Sequence, residues 1–156
     1  MPRLERLSEI GRNRLLTHPT IQNNTTPWTR LDKPLSQVRL ALVTTAGLHL
    51  RGDRPFASGE QGYRAIPSAA PAQDVILSHG SIGFDRAGFM RDINVVFPID
   101  RLREMAEQGE IGGTGPTNFS FLGSISKYDQ LIGGTAVEVA DHLKTEGVDA
   151  VFLTGA

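Results

Sequence analysis

"TAVEVADHLKTEGVDAVFLTGA" (residues 135–156) is the stretch whose reading decides the fold. Its first half predicts a helix, with Val137, Ala140 and Leu143–Lys144 at the helical period. Gly147 supplies the left-handed residue that ends such a helix. Val148 to Thr154 then reads as a buried β-strand, with Gly155-Ala156 as the first step of the loop behind it. Helix, glycine cap and buried strand are half of a βαβ unit. The expected class is therefore α/β: three layers, a mostly parallel sheet flanked by helices. In open sheets of this kind, ligands and catalytic groups gather past the carboxyl ends of the strands. The chain stops at such a point, so the domain is expected to be incomplete at its C-terminal end.

Working outward, "VRLALVTTAG" (38–47) is a continuous apolar run, the form of a strand covered on both faces. "DVILS" (74–78) and "INVVFP" (93–98) read as further strands, each beside polar, glycine- or proline-bearing chain. Between the first two, residues 48–73 form a long excursion in which only "YRAIP" is expected to extend. "IDRLREMAEQGEIGG" (99–113) reads as a helix with Leu102, Met105 and Ala106 inward and Gly109 as its stop. "NFSFLG" (118–123) alternates like a strand, and residues 124–132 are given a helical turn. Towards the N-terminus, Leu4, Leu7, Ile10 and Leu15 predict a short amphipathic helix over 3–16. Residues 17–37 read as an extended connector anchored by Trp28. The organisation expected is thus a helix and connector over 1–37 and an α/β domain over 38–156.

Composition narrows the function classes. A chain of 156 residues can bury a core without disulfide or metal. Its formal net charge of -1, with no run of like charge, argues against nucleic acid or an acidic membrane as partner. There is no cysteine, so a disulfide scaffold, a thiolate metal site and a cysteine nucleophile are excluded within these residues. No apolar run reaches the length of a membrane span, and the charged N-terminus lacks the apolar core of a signal peptide. The expected location is the cytoplasm.

The polar residues that carry chemistry cluster after strand ends. Thr44, Thr45, His49, Arg51 and Asp53 follow the first strand. Ser78, His79 and Asp85 follow the second, with Asp92 and Asn94 beyond, and Thr154 and Gly155 close the last. If the strands are parallel neighbours, these clusters share one rim and line one pocket. His79 with Asp85 is the expected catalytic pair, a strand-end imidazole acting as acid or base. Thr44, Thr45, His49, Asp92, Asn94, Thr154 and Gly155 are the expected substrate contacts. His142 beside Asp141 reads as a solvated helix face, and His18 carries no signal. His79, Asp85 and Asp92 can also be pictured as metal ligands, but a metal site needs a fixed geometry and an outer shell that a sequence does not display, and no metal is assigned. "GGTGPTN" (112–118) lacks the Gly-Lys-Ser/Thr of a nucleotide loop and reads as a turn.

Segments 40–56, 62–67, 77–112, 119–123 and 147–156 together resemble, in order, the selenoprotein B family of the glycine, sarcosine, betaine and D-proline reductases. The likeness is closest to the D-proline type. It is carried by Thr44-Thr45-x-Gly47, Ser78-His79, Asp92-x-Asn94 and Phe97-Pro98-x-Asp100-Arg101-Leu102. The resemblance implies a selenocysteine, or in some members a cysteine, a few residues past the strand matching "VDAVFLT", and a further half-domain behind it. It also implies reductive cleavage of a carbon–nitrogen bond in a small amino acid or amine. The chain itself would hold no cofactor; the substrate would be activated on a partner subunit bearing a pyruvoyl group, with electrons from dithiols. A codon for selenocysteine directly after that for Ala156, read as a stop, would explain where the sequence ends. The chain as given would then be inactive and would form a homo-oligomer, with the uncovered C-terminal strand or its flanking helix at the interface. Two other readings stand beside this one: a non-catalytic α/β module for a small carboxylate or a partner chain, and a stand-alone hydrolase or isomerase using His79 and Asp85.

Overall fold

The computed structural model describes residues 3–17, 22, 24–26, 29–81 and 83–155. Trp28 and His18 lie outside the described residues, as does Ala156. The chain divides into two units, Met1–Arg30 and Leu31–Ala156.

In the first unit the expected single helix is two pieces, a 3-10 turn at Leu4–Arg6 and helix α1 at Glu9–Leu16. Ser8 interrupts them because its hydroxyl accepts from the Gly11 N–H at 3.2 Å and caps α1. Neither piece buries a residue, and Ile10 is 82% exposed.

The second unit is built on strand β1 (Arg39–Thr44), whose consecutive residues face opposite cores. Leu42 joins a cluster with Leu48, Ile66, Phe97, Ile99 and Leu102, and Ala41 joins one with Phe119, Phe121, Val139 and Leu143. This two-residue alternation between two covered faces is why the run is apolar throughout. Strand β2 is Leu48–Leu50, β3 Tyr63–Pro67, β4 Val75–Leu77, β5 Gly113–Thr114, β6 Thr117–Phe121 and β7 Ala150–Thr154. β7 pairs with β1 in parallel from Leu40↔Ala150 to Thr44↔Thr154. β5 and β6 are also parallel to β1, at its first and last residues respectively. With β7 along one edge of β1, they must share the other edge in tandem. Where the ladder lapses between them, the Asn118 side chain accepts from the Leu42 N–H at 2.8 Å. Both residues are fully buried, so this bond satisfies a donor that water cannot reach. β3 adds antiparallel to β6 on the outside.

Helices cover both faces, as the sequence implies. Helix α3 (Ile99–Glu107) buries Ile99 and Leu102 in the first cluster, and α4 (Ala136–Thr145) buries Val139 and Leu143 in the second. Each such side chain contributes about 1.5–3 kcal/mol. Gly109 and Gly147 adopt φ of 72° and 69° after the two helices, the left-handed residue that glycine takes without strain.

Four expectations are corrected. "INVVFP" is not a strand: Ile93–Val95 is a 3-10 turn, because the Asp92 carboxylate accepts from the Asn94 N–H and closes the chain locally. β4 does not join the central sheet. Gly47, at φ 67°, turns the chain out of β1, and β2 then pairs antiparallel with β4, Leu48 opposite Leu77. Val137 is 52% exposed, not inward. A π-helical turn at Leu131–Thr135 precedes α4, and Thr135 donates to the Gln61 carbonyl at 2.7 Å. That buried anchor sets the inward row as Thr135, Val139 and Leu143. Finally, β7 is not buried: Val151, Phe152 and Leu153 are 38%, 50% and 73% exposed. It is the edge strand, and α4 packs over Ala41, Phe119 and Phe121, not over β7.

Candidate functional site

Parallel register decides what happens at the rim of β1 and β7. Thr44 and Thr154 are directly paired, so their side chains leave the sheet on one face. Both hydroxyls donate to the same Val96 carbonyl, at 3.0 and 2.8 Å. Thr44 Oγ1 in turn accepts from the Ala46 N–H at 3.2 Å, and the Thr45 N–H donates to the Thr154 carbonyl at 3.0 Å. The two strand ends and the segment after Asn94 are thereby tied at one point. Gly155 follows immediately and is exposed.

Asp92 and Asn94 begin that segment. The Asp92 carboxylate accepts from the Asn94 N–H at 2.9 Å and from its side-chain amide at 2.8 Å. These bonds, the backbone one first, hold the Asp92 carboxyl below the ordinary carboxylate range, with the Arg101 charge adding to them. Asn94 also exchanges bonds with Asp100, giving its amide to Oδ2 and taking the Asp100 N–H on Oδ1, both at 3.1 Å. Arg103 then donates to Asp100 Oδ1 at 2.6 Å. The motif Asp-x-Asn and the later Pro-x-Asp are one hydrogen-bonded unit.

The second strand end reaches the same neighbourhood by another route. Ser78 N–H donates to the Gly47 carbonyl at 2.9 Å, which continues the β2–β4 ladder towards the end of β1. His79 is 4% exposed and stacked on Phe84 with ring centroids 4.6 Å apart. Its Nδ1 accepts from the Ser81 N–H at 3.2 Å, and Arg86 donates to its carbonyl at 2.7 Å. The expected His79–Asp85 contact is not formed. Asp85 caps helix α2 (Arg86–Arg91) by accepting from the Gly88 N–H at 3.0 Å. His49 is paired on both ring nitrogens: Nε2 lies 2.7 Å from Ser78 Oγ, and Nδ1 lies 2.8 Å from the Leu50 carbonyl.

A cavity of about 710 Å³ opens between β4 and α2, within the size range of small-molecule sites. Val75, Ile76, Leu77 and Phe89 give it apolar walls. Arg51, Arg86 and Arg91 face it together with Asp92, Asn94 and Asp100. The structure thus brings Asp92 and Asn94 to a cavity, Thr44, Thr45, Thr154 and Gly155 to a tied rim, and His49 to Ser78. Arg86 and Arg91 were not singled out from the sequence, and Asp100 was singled out only as part of the motif Phe97-Pro98-x-Asp100-Arg101-Leu102. Arg86 follows directly on the capping Asp85 and Arg91 ends the same helix, so both could have been found as polar residues of α2. The place of Asp100 beside the cavity shows only through its spatial link to Asn94. Among the described residues no group of three or more His, Asp or Glu could hold a metal ion.

The sequence pattern for glycine/sarcosine/betaine reductase selenoprotein B matches residues 23–156. The D-proline reductase subunit gamma of Acetoanaerobium sticklandii is 41% identical over 128 residues, covering 81% of this chain and 52% of that one. The glycine reductase complex component B subunit gamma of Carboxydothermus hydrogenoformans is 33% identical over 135 residues, covering 78% and 29%. The sarcosine reductase complex component B subunit beta of Peptoclostridium acidaminophilum is 30% identical over 128 residues, again covering 78% and 29%. The chain therefore spans about half the length of the first of these relatives and under a third of the others. No solved structure matches it. A match from residue 23 to residue 156, around a sheet whose strand ends meet at Val96, establishes that this chain belongs to the glycine/sarcosine/betaine reductase selenoprotein B family.

Proposed function

We propose that this chain is the N-terminal part of a selenoprotein B-type reductase subunit that cleaves a carbon–nitrogen bond in a small amino acid or amine such as D-proline, glycine or betaine. The observation that carries the reading is the family match over residues 23–156. The family's description as selenoprotein B supports a nucleophilic selenocysteine or cysteine, and the greater length of the relatives leaves room for it beyond residue 156 in a longer polypeptide. On this reading the carbon–nitrogen bond breaks, hydrogen replaces nitrogen on the carbon, the amine takes up a proton, and the two electrons and two protons come finally from a dithiol that becomes a disulfide.

This chain's own residues supply the setting. Thr44, Thr45, Thr154 and Gly155 border the approach to the nucleophile. Arg51, Arg86 and Arg91 receive the substrate carboxylate, for which guanidinium is well suited. Asp92, Asn94 and Asp100 face the amine. His79 moves the proton at the rim, and Asp85 acts on it indirectly by capping the helix whose first residue, Arg86, holds the His79 carbonyl. The pyruvoyl group belongs to a partner subunit, so no residue here is assigned to hold it; it supplies the carbonyl that activates the substrate. The reductase acts in the cytoplasm; among the described residues no helix is long and apolar enough to cross a membrane. The exposed Val151 and Leu153 on one face of β7 and Phe152 on the other are the surface through which copies of the chain associate, since exposed apolar area on a strand favours burial.

The decisive observation is the nucleotide sequence after the codon for residue 156. An in-frame selenocysteine codon followed by family-like sequence supports the reading, and its absence contradicts it. The biochemical test is the complete subunit with its pyruvoyl-bearing partner and a dithiol, offered D-proline, glycine, sarcosine and betaine. Reduction of one of them is expected, and reduction of none is the opposing result.

A further inference from the structure

The β2–β4 ladder builds a constellation that the reductase reading does not use. Ser78 lies opposite Gly47, and His49 lies opposite Ile76, so His49 and Ser78 are diagonal neighbours on one face of the pair. Gly47 has no side chain, which leaves the ring of His49 free to reach across to Ser78. His49 is 3% exposed, while Ser78 is partly exposed.

The protons on this pair can be assigned. A carbonyl oxygen only accepts, so the 2.8 Å contact with Leu50 requires the proton on Nδ1 of His49. In the neutral ring Nε2 is then the acceptor, and the proton it accepts at 2.7 Å is that of the Ser78 hydroxyl. The orienting carbonyl is itself held. Asp53 N–H donates to the Leu50 carbonyl at 2.9 Å, and the Asp53 carboxylate accepts from the Leu50 N–H at 3.0 Å. A hydroxyl within hydrogen-bond reach of an imidazole that a third group orients is the arrangement of an activated nucleophile.

We propose that Ser78 is a nucleophilic hydroxyl with His49 as its general base and Asp53 as a positioning residue, and that it accepts the acyl group of small activated esters or thioesters. Ser78 Oγ bonds to the carbonyl carbon as its proton passes to His49 Nε2. The bond from that carbon to the alkoxide or thiolate then breaks, and the leaving group takes the proton from Nε2. The products are O-acyl Ser78 and the free alcohol or thiol. Ile76, on the same face of β4 as Ser78, lines the apolar cavity and favours a short aliphatic acyl chain.

The test is labelling of the full chain with a fluorophosphonate and, separately, with p-nitrophenyl acetate, with the modified residue mapped by mass spectrometry. One label per chain on Ser78 is expected, absent in Ser78→Ala and slowed about 100-fold in His49→Gln, the lower range for general-base assistance. Labelling at other residues, or an unchanged rate in a folded His49→Gln chain, overturns the proposal. If His49→Gln does not fold, two further measurements decide. Asp53→Ala should slow labelling about tenfold and Asp53→Asn, which still accepts from the Leu50 N–H, should restore it; no rescue refutes the positioning role. The thiol of Ser78→Cys should react with iodoacetamide at least about tenfold faster than a simple thiol, and equal rates refute the activation.

Discussion

β1 and β7 run side by side in register, yet one is interior and the other is not. Leu42 is fully buried, and Phe152, paired with it across the ladder, is 50% exposed. The two strands are nearly alike as strings of apolar residues, "LALVT" against "AVFLT". What differs is position: β1 has strands on both edges and helices over both faces, whereas β7 has β1 on one edge alone among the described residues. An apolar run therefore identifies a strand of a parallel sheet without saying how deeply the strand sits.

The largest test of this contrast is truncation of the paired residues. Leu42→Ala should cost about 3 kcal/mol in urea denaturation, because it removes a buried side chain and leaves a cavity. Phe152→Ala, half in water already, should cost about 1 kcal/mol. Equal losses would mean that β7 is covered in solution. The rim threonines give a second, smaller pair. Thr44→Val removes a fully buried hydroxyl that both donates to Val96 and accepts from Ala46, and should cost about 1–2 kcal/mol. Thr154→Val removes only the bond to Val96 and should cost less. A Thr154 effect as large as that of Thr44 would break the distinction between inner and edge strand.

The same contrast explains what was legible beforehand. Class, sheet direction and both long helices followed from "VRLALVTTAG", from the glycine caps at 109 and 147, and from the period of 99–113. The phase of α4 was not legible, because it is set by Thr135 bonding to Gln61, a contact far apart in sequence. Nor was "INVVFP" recoverable as a turn: its apolar residues hide the Asp92–Asn94 bonds that close it. At the site, the meeting of Thr44 and Thr154 follows from their places at the ends of two strands in parallel register. The partner of His79 was misread because Asp85 is spent locally as a cap, while His49 and Ser78 meet only through the register of β2 and β4.

Self-association sharpens the comparison from the outside. Leu153→Lys places a charge on the most exposed apolar position of β7. It should shift light-scattering mass towards the monomer while leaving the urea midpoint nearly unchanged, as expected of an exposed site. The corresponding change at Ala41, fully buried in β1 opposite Val151, should unfold the chain instead. A Leu153→Lys chain that associates as before would remove β7 from the interface.

The smallest effect concerns the start of the same strand pair. Asp149 precedes β7 and accepts from the Arg39 N–H at 2.9 Å, and it pairs with Lys33 Nζ at 2.6 Å. The backbone bond first, and Lys33 second, hold its carboxyl below the ordinary carboxylate range. A carboxyl with a lower pKa in the folded chain contributes stability that is fully present above its unfolded pKa. That contribution fades as pH falls from there through the folded value, because the native state then binds the proton less readily than the unfolded chain. The urea midpoint should accordingly fall with pH across the acidic carboxylate range, and Asp149→Asn should make that decline shallower. Because Asp149 lies near solvent, added salt should reduce the Lys33 share of the difference and leave the Arg39 share. An Asp149→Asn profile parallel to that of the parent chain would show that this end of the β1–β7 pair is held by its backbone bonds alone.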